Sequence, residues 1–94
     1  MPAPTITIST PTSGGTVART FTASGGYTSP TTPTINVELR DPGGATVAST
    51  TATLVGRGNW TADLTSPQAY SGASVFAEIV GTAATDSVGN ITVT

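Results

Sequence analysis

The chain has 94 residues with three arginines, no lysine, no histidine and no cysteine, and its formal net charge is −2. At this length one domain spanning 1–94 is expected, because neither half could bury a core of its own. Three cations cannot neutralise a track of phosphates, which argues against nucleic acid and anionic lipid as partners, and the missing residue types exclude disulfides, thiol nucleophiles, histidine triads and Schiff-base chemistry.

Threonine is the most frequent residue, and charged residues make up only 9% of the chain. That composition favours strands over helices and gives a neutral, hydroxyl-rich surface. Pro2 and Pro4 open an extended lead-in. Residues 5–10 then alternate, with Ile6 and Ile8 on one face, and predict a first strand. Residues 11–15, from Pro11 to the Gly14-Gly15 pair, predict a turn. A second strand is expected over 17–23, with Val17, Phe21 and Ala23 inward and Arg19 at a strand end or bulge. Residues 24–33, with two glycines and two prolines, predict a loop of about ten residues that includes Tyr27.

The clearest strand is 34–40. Ile35, Val37 and Leu39 face one way and Asn36, Glu38 and Arg40 the other. Asp41-Pro42-Gly43-Gly44 ends it as a tight turn. Short strands follow at 46–49 and 50–55, then a hairpin turn at 56–59 and a returning strand at 60–64 with Trp60, Ala62 and Leu64 inward. Residues 65–72 predict a loop carrying Tyr70. In the strand 73–80, Val75, Ala77 and Ile79 face the core, while Phe76, Glu78 and Val80 lie on the other face and need cover of their own. A turn at 86–90 and a last strand through Ile91 and Val93 complete the chain. No apolar run approaches the ~20 residues of a membrane-spanning helix. Seven to eight short strands separated by turns predict an all-β, antiparallel β-sandwich.

Few side chains offer chemistry. Glu38 and Glu78 could act as a carboxylate pair only if their strands were neighbours with both groups on one face of a cleft. Asp86 and Asn90 are the only residues worth weighing as calcium ligands, and hydrogen bonding of Asp86 to its own turn is the preferred reading. No metal, cofactor or catalytic residue is assigned. The loop tyrosines Tyr27 and Tyr70 and the outward Phe76 are the candidate binding residues, since aromatic rings give large contact area with little entropy to lose. Trp60 falls on the inward face, so a core role is expected of it. Two Asn-x-Thr sequences, at Asn59 and Asn90, would matter only in a glycosylating host.

The order of these signals has a family likeness: Pro11 to Gly14-Gly15, a phenylalanine strand followed by Gly25-Gly26, an alternating strand into Asp41-Pro42-Gly43-Gly44, then Gly58-Asn59-Trp60-Thr61 and a late Asp86-x-x-Gly89-Asn90. In this order the chain resembles the bacterial and phage immunoglobulin-like modules. The resemblance covers nearly the whole chain. It lacks the disulfide, the tryptophan on the alternating strand and a clear tyrosine corner. It implies an Ig-like sandwich with a structural, spacing or adhesive role and no catalysis, partnered by protein or by itself through edge strands or loops. No secretion signal pattern opens the chain. The expected location is therefore extracellular or on a virion, as a module of a larger secreted protein or a virion component. The alternative is a carbohydrate-binding module in which Tyr27, Tyr70 and Trp60 stack on surface glycans.

Overall fold

The computed structural model describes residues 4–29 and 32–94. They contain nine strands and no helix: β1 (Thr5–Thr10), β2 (Thr16–Val17), β3 (Thr20–Thr28), β4 (Ile35–Arg40), β5 (Thr46–Thr51), β6 (Thr53–Val55), β7 (Asn59–Thr65), β8 (Tyr70–Ile79) and β9 (Thr85–Val93). Two sheets form, a four-stranded one in the order β1-β3-β7-β6 and a five-stranded one in the order β2-β9-β8-β4-β5. Every pairing is antiparallel except β2 with β9.

The inward sets follow the expected alternation. Ile35, Val37 and Leu39 of β4, Val75, Ala77 and Ile79 of β8, and Trp60, Ala62 and Leu64 of β7 are all buried. Phe21, Ala23 and Ile6 close the core from the four-stranded sheet, and Ile91 and Val93 from β9. Burial of this apolar surface is the main favourable term for a chain with no disulfide.

Trp60 is fully buried and is the largest side chain in that core. Its indole Nε1 donates to both the Thr7 and the Gly26 carbonyls, each at 3.2 Å. The bonds reach from β7 across β3 to β1, so one side chain ties three strands together. Gly25 makes this possible. A Cβ there would overlap the Thr7 carbonyl and come within 2.9 Å of the indole Cζ2. The Gly25-Gly26 pair is therefore part of a strand, and β3 runs on to Thr28 through the expected loop 24–33. Of that segment, Pro30 and Thr31 lie outside the described residues, as does Pro2 of the lead-in.

Four further boundaries differ from the sequence expectation: β8 begins at Tyr70, inside the expected loop 65–72, and in the other three a strand changes sheet or bulges. The strand expected over 17–23 is two elements. β2 continues in the direction of β1 but pairs with β9 in the opposite sheet, and the chain reverses at Ala18 and the exposed Arg19 before β3. The Arg19 carbonyl accepts from the Ser66 N–H at 2.6 Å across that reversal. Similarly, β5 and β6 form one extended run that switches sheets at Ala52, whose N–H donates to the Ile35 carbonyl at 2.8 Å. The turn expected at 86–90 is instead a bulge inside β9. Ala73 pairs with Ile91 but Val75 with Val88, so β9 carries an extra residue, and Asn90 takes φ +57° to absorb it. The reversal before β9 comes earlier, where Gly81 has φ +83°.

The turn after β4 forms as expected. Asp41 Oδ1 accepts from the Gly43 and Ala45 N–H groups at 2.9 Å each, and Gly44 takes φ +91°.

Gly25→Ala is expected to destabilise the protein by about 3 kcal/mol, because the clash is with backbone and cannot be relieved by a rotamer change. The Trp60 emission should move to the red in the native baseline as the indole is displaced. Urea unfolding followed by fluorescence checks both. Gly89→Ala, whose Cβ meets nothing within 4 Å, should change stability by less than about 1 kcal/mol.

Candidate functional site

The strand pairing defines two ends of the molecule. At the first end, Thr5 of β1 lies opposite Thr28 of β3, Asn59 of β7 opposite Gly26, and Ile79 of β8 opposite Ile35. At the second end, Tyr70 of β8 lies opposite Val93 of β9, and Arg40 of β4 opposite Thr46 and Ser74. The three candidate binding residues are dispersed over this frame. Tyr27 belongs to β3 at the first end, opposite Ile6, with its N–H donating to the Gly58 carbonyl at 2.9 Å. Tyr70 begins β8 at the second end. Both rings are half-buried and pack against the core. Neither is a loop residue, which corrects the sequence reading. With Trp60 fully buried as well, the three aromatics do not form a common stacking platform.

Phe76 is different. It stands at the middle of β8 on the outer face of the five-stranded sheet, between Glu38 of β4 and Ser87 of β9. The Arg40 guanidinium lies over its ring, 4.1 Å from the centroid, a distance at which the ring quadrupole attracts the cation. Arg40 is held there by Glu38, whose Oε1 accepts from Arg40 Nε at 3.1 Å and Nη2 at 3.0 Å. The same oxygen accepts from Thr46 Oγ1 at 2.9 Å, and Oε2 accepts from Asn36 Nδ2 at 3.2 Å. The cover that Phe76 needs thus comes from its own sheet. Val80, by contrast, remains 53% exposed at the first end.

Glu38 and Glu78 do share the outer face, because Asn36 pairs with Glu78 and Glu38 with Phe76. That makes them diagonal neighbours on adjacent strands. Both oxygens of Glu38 are already engaged by Arg40, Asn36 and Thr46. Its carboxylate therefore works as an anchor for the arginine.

Asp86 also has a role that differs from its sequence reading. It sits opposite the inward-facing Ala77 and so points toward the interior side of β9. Its Oδ2 accepts from the Ile8 N–H of β1 at 2.8 Å. The carboxylate binds the backbone of the other sheet and not its own turn. It fills the edge of β1 that β3 leaves unpaired, one of the ways in which sheets blunt their edges. Among the described residues no three His, Cys, Asp or Glu side chains come together to hold a metal ion, and Asn90 lies beyond Asp86 within the β9 bulge. Asn59 and Asn90, the two Asn-x-Thr asparagines, are both exposed.

No family model and no curated protein matches the chain. Among solved structures it is similar to the crystal structure of an engineered protein at 1.98 Å resolution, a Northeast Structural Genomics Consortium target, with a TM-score of 0.64 and 26% sequence identity. The similarity covers 97% of this chain and 20% of that one, so this chain spans about a fifth of that protein's length.

Asp86→Ala removes the acceptor and leaves the Ile8 N–H without it. A loss of about 1–3 kcal/mol is expected, together with faster hydrogen exchange at the Ile8 amide, whereas the Val75 amide should keep its protection. Millimolar calcium should leave the wild-type melting temperature unchanged. A calcium-dependent rise that Asp86→Ala abolishes would restore the ligand reading of Asp86.

Proposed function

We propose that the chain is a non-catalytic Ig-like module that acts as a structural spacer and adhesive unit in a protein of an external surface, on a virion or a bacterial cell. The single observation that carries this reading is the placement of the outer ends of the first and last strands. β1 enters at the first end, where Thr5 faces Thr28, and β9 leaves at the second, where Val93 faces Tyr70. A module with that geometry adds its long dimension, 41 Å, to any polypeptide it is inserted in. The similarity to a segment of a chain about five times as long fits the same use.

The Ig-like reading draws support from strand order. The order β1-β3-β7-β6 corresponds to the ABED sheet of immunoglobulin domains, and β9-β8-β4-β5 to their GFC sheet extended by one strand. β2 is then an added segment beside the last strand. The tryptophan sits on β7 and not on β4, so the largest core side chain comes from the sheet opposite to the one that carries it in antibody domains. The lack of histidine, cysteine and lysine and the full engagement of Glu38 support a role that depends on shape. The Phe76–Arg40 pair in the midst of a hydroxyl-rich face supplies the adhesive element, since aromatic and arginine side chains held rigid before binding are the residues that dominate interfaces.

Two copies joined head to tail through a short linker test the spacer geometry by small-angle X-ray scattering. The maximum dimension should grow by about the length of one module relative to the single domain. A pair folded side by side, with little increase in length, would remove the reading.

A further inference from the structure

Among the described residues the two sheets end in four edge strands, and three of them are closed or short. β1 has the Asp86 carboxylate on its free Ile8 N–H. β2 has only two residues, and β6 only three. The fourth, β5, has six residues, Thr46–Thr51, with no charge, proline or glycine among them. Its Ser49 and Thr51 are exposed.

The direction of its backbone groups follows from one hydrogen bond. The Ala52 N–H donates to the Ile35 carbonyl of β4 at 2.8 Å. Successive residues of a strand point their main-chain groups to opposite sides. Thr50 and Ala48, opposite Val37 and Leu39, therefore turn toward β4, and Ser49 and Thr51 turn away from it. A long, uncharged edge with free N–H and C=O groups is a template for another strand.

We propose that β5 is a self-pairing edge through which two copies of this chain join antiparallel, about a two-fold axis at Thr50, fusing their five-stranded sheets into one. With the axis there, Ser49 of each copy lies opposite Thr51 of the other, and the outward groups of the two residues form about four main-chain hydrogen bonds. The seam avoids the bulge between Leu39 and Arg40, which distorts the start of β5.

A second copy suits this edge better than an unrelated strand does. A two-fold seam requires a patch complementary to itself, and β5 sets serine against threonine, a pairing that stabilises neighbouring strands. No like charges meet, because β5 has none, and Glu38, the acid one strand in, is already paired to Arg40 at 3.0 Å. A charged foreign strand would find no opposite charge along the edge. Six residues per copy bury less area than a stable dimer needs, so single modules pair weakly and several in tandem pair by avidity. The inference gives the spacer reading a lateral partner but does not depend on it.

Sedimentation equilibrium of the full chain over a wide concentration range tests the proposal, with amide exchange as a second readout. A concentration-dependent dimer is expected, with the Ser49 and Thr51 amides gaining protection as it forms. Ser49→Pro removes only an outward N–H, which edge strands tolerate. It should weaken the dimer at least tenfold and shift the melting temperature by no more than a few degrees. Ser49→Lys should weaken the dimer likewise if the proline variant fails to fold. Thr50→Pro, which loses an N–H directed at β4, should lower the melting temperature markedly. A chain that stays monomeric at the highest concentration would overturn the proposal. So would a dimer indifferent to both Ser49 variants, or capture of a synthetic extended peptide by a chain that does not self-associate. The scattering of the tandem pair is recorded with Ser49→Pro in both copies, so that β5 pairing between them does not enter its length.

Discussion

The two hydrogen bonds of the Trp60 indole set the form of the four-stranded sheet. A buried N–H without a partner costs on the order of 1–3 kcal/mol, so placing the largest core side chain on β7 requires an acceptor within reach. The Thr7 and Gly26 carbonyls supply it, but only if β3 brings its backbone close over the ring. That approach leaves no room for a Cβ at Gly25. One aromatic residue thus determines a glycine 35 positions earlier in the chain, the length of β3, and the hold on β1. Among the described residues no buried side-chain nitrogen or oxygen lacks a hydrogen-bond partner, so the satisfaction seen at Trp60 extends through the core.

β1 is gripped a second time, from the opposite sheet. Asp86 reaches from β9 to the Ile8 N–H, while Trp60 reaches from β7 to the carbonyl of the adjacent Thr7. Two different sheets therefore satisfy consecutive residues of one edge strand. On the other flank the sheets are joined covalently, by the run of β5 into β6 through Ala52. The β1 flank is closed by these side-chain bonds together with the passage of the chain from β1 to β2, and the other flank by its passage from β5 to β6. This arrangement explains how a chain with no cysteine can hold a sheet edge in place.

The alternation of apolar and polar residues was enough to read most of the fold. The inward faces of β4, β7 and β8 were legible because period-2 patterning is strict there and each strand is half-buried. The Asp41 turn was legible because its side chain bonds its own backbone, which is information local to the sequence. What was not legible depended on distant residues. Gly25-Gly26 has the composition of a loop, and only the indole below it makes it a strand. Gly89-Asn90 has the composition of a turn, and the left-handed Asn90 instead accommodates a bulge set by the partner strand β8. Tyr27 and Tyr70 lie in stretches of loop composition for the same reason, and their separation to opposite ends follows from strand pairing that no local signal reports.

The same distinction bears on the outer surface. Alternation alone places Phe76 on the outer face, where it stands. That it would be covered by Arg40 depends on Glu38 lying two residues before Arg40 on the same face of β4 and opposite Phe76 on β8. The arginine cannot leave the ring without giving up two hydrogen bonds to Glu38, and Glu38 is held in turn by Asn36 and Thr46. A partner meeting this face encounters side chains already fixed, so little rotamer entropy remains to be lost there on contact. An acid in this position would ordinarily raise the question of catalysis. Here its oxygens are occupied in orienting a cation and in accepting from Asn36 and Thr46.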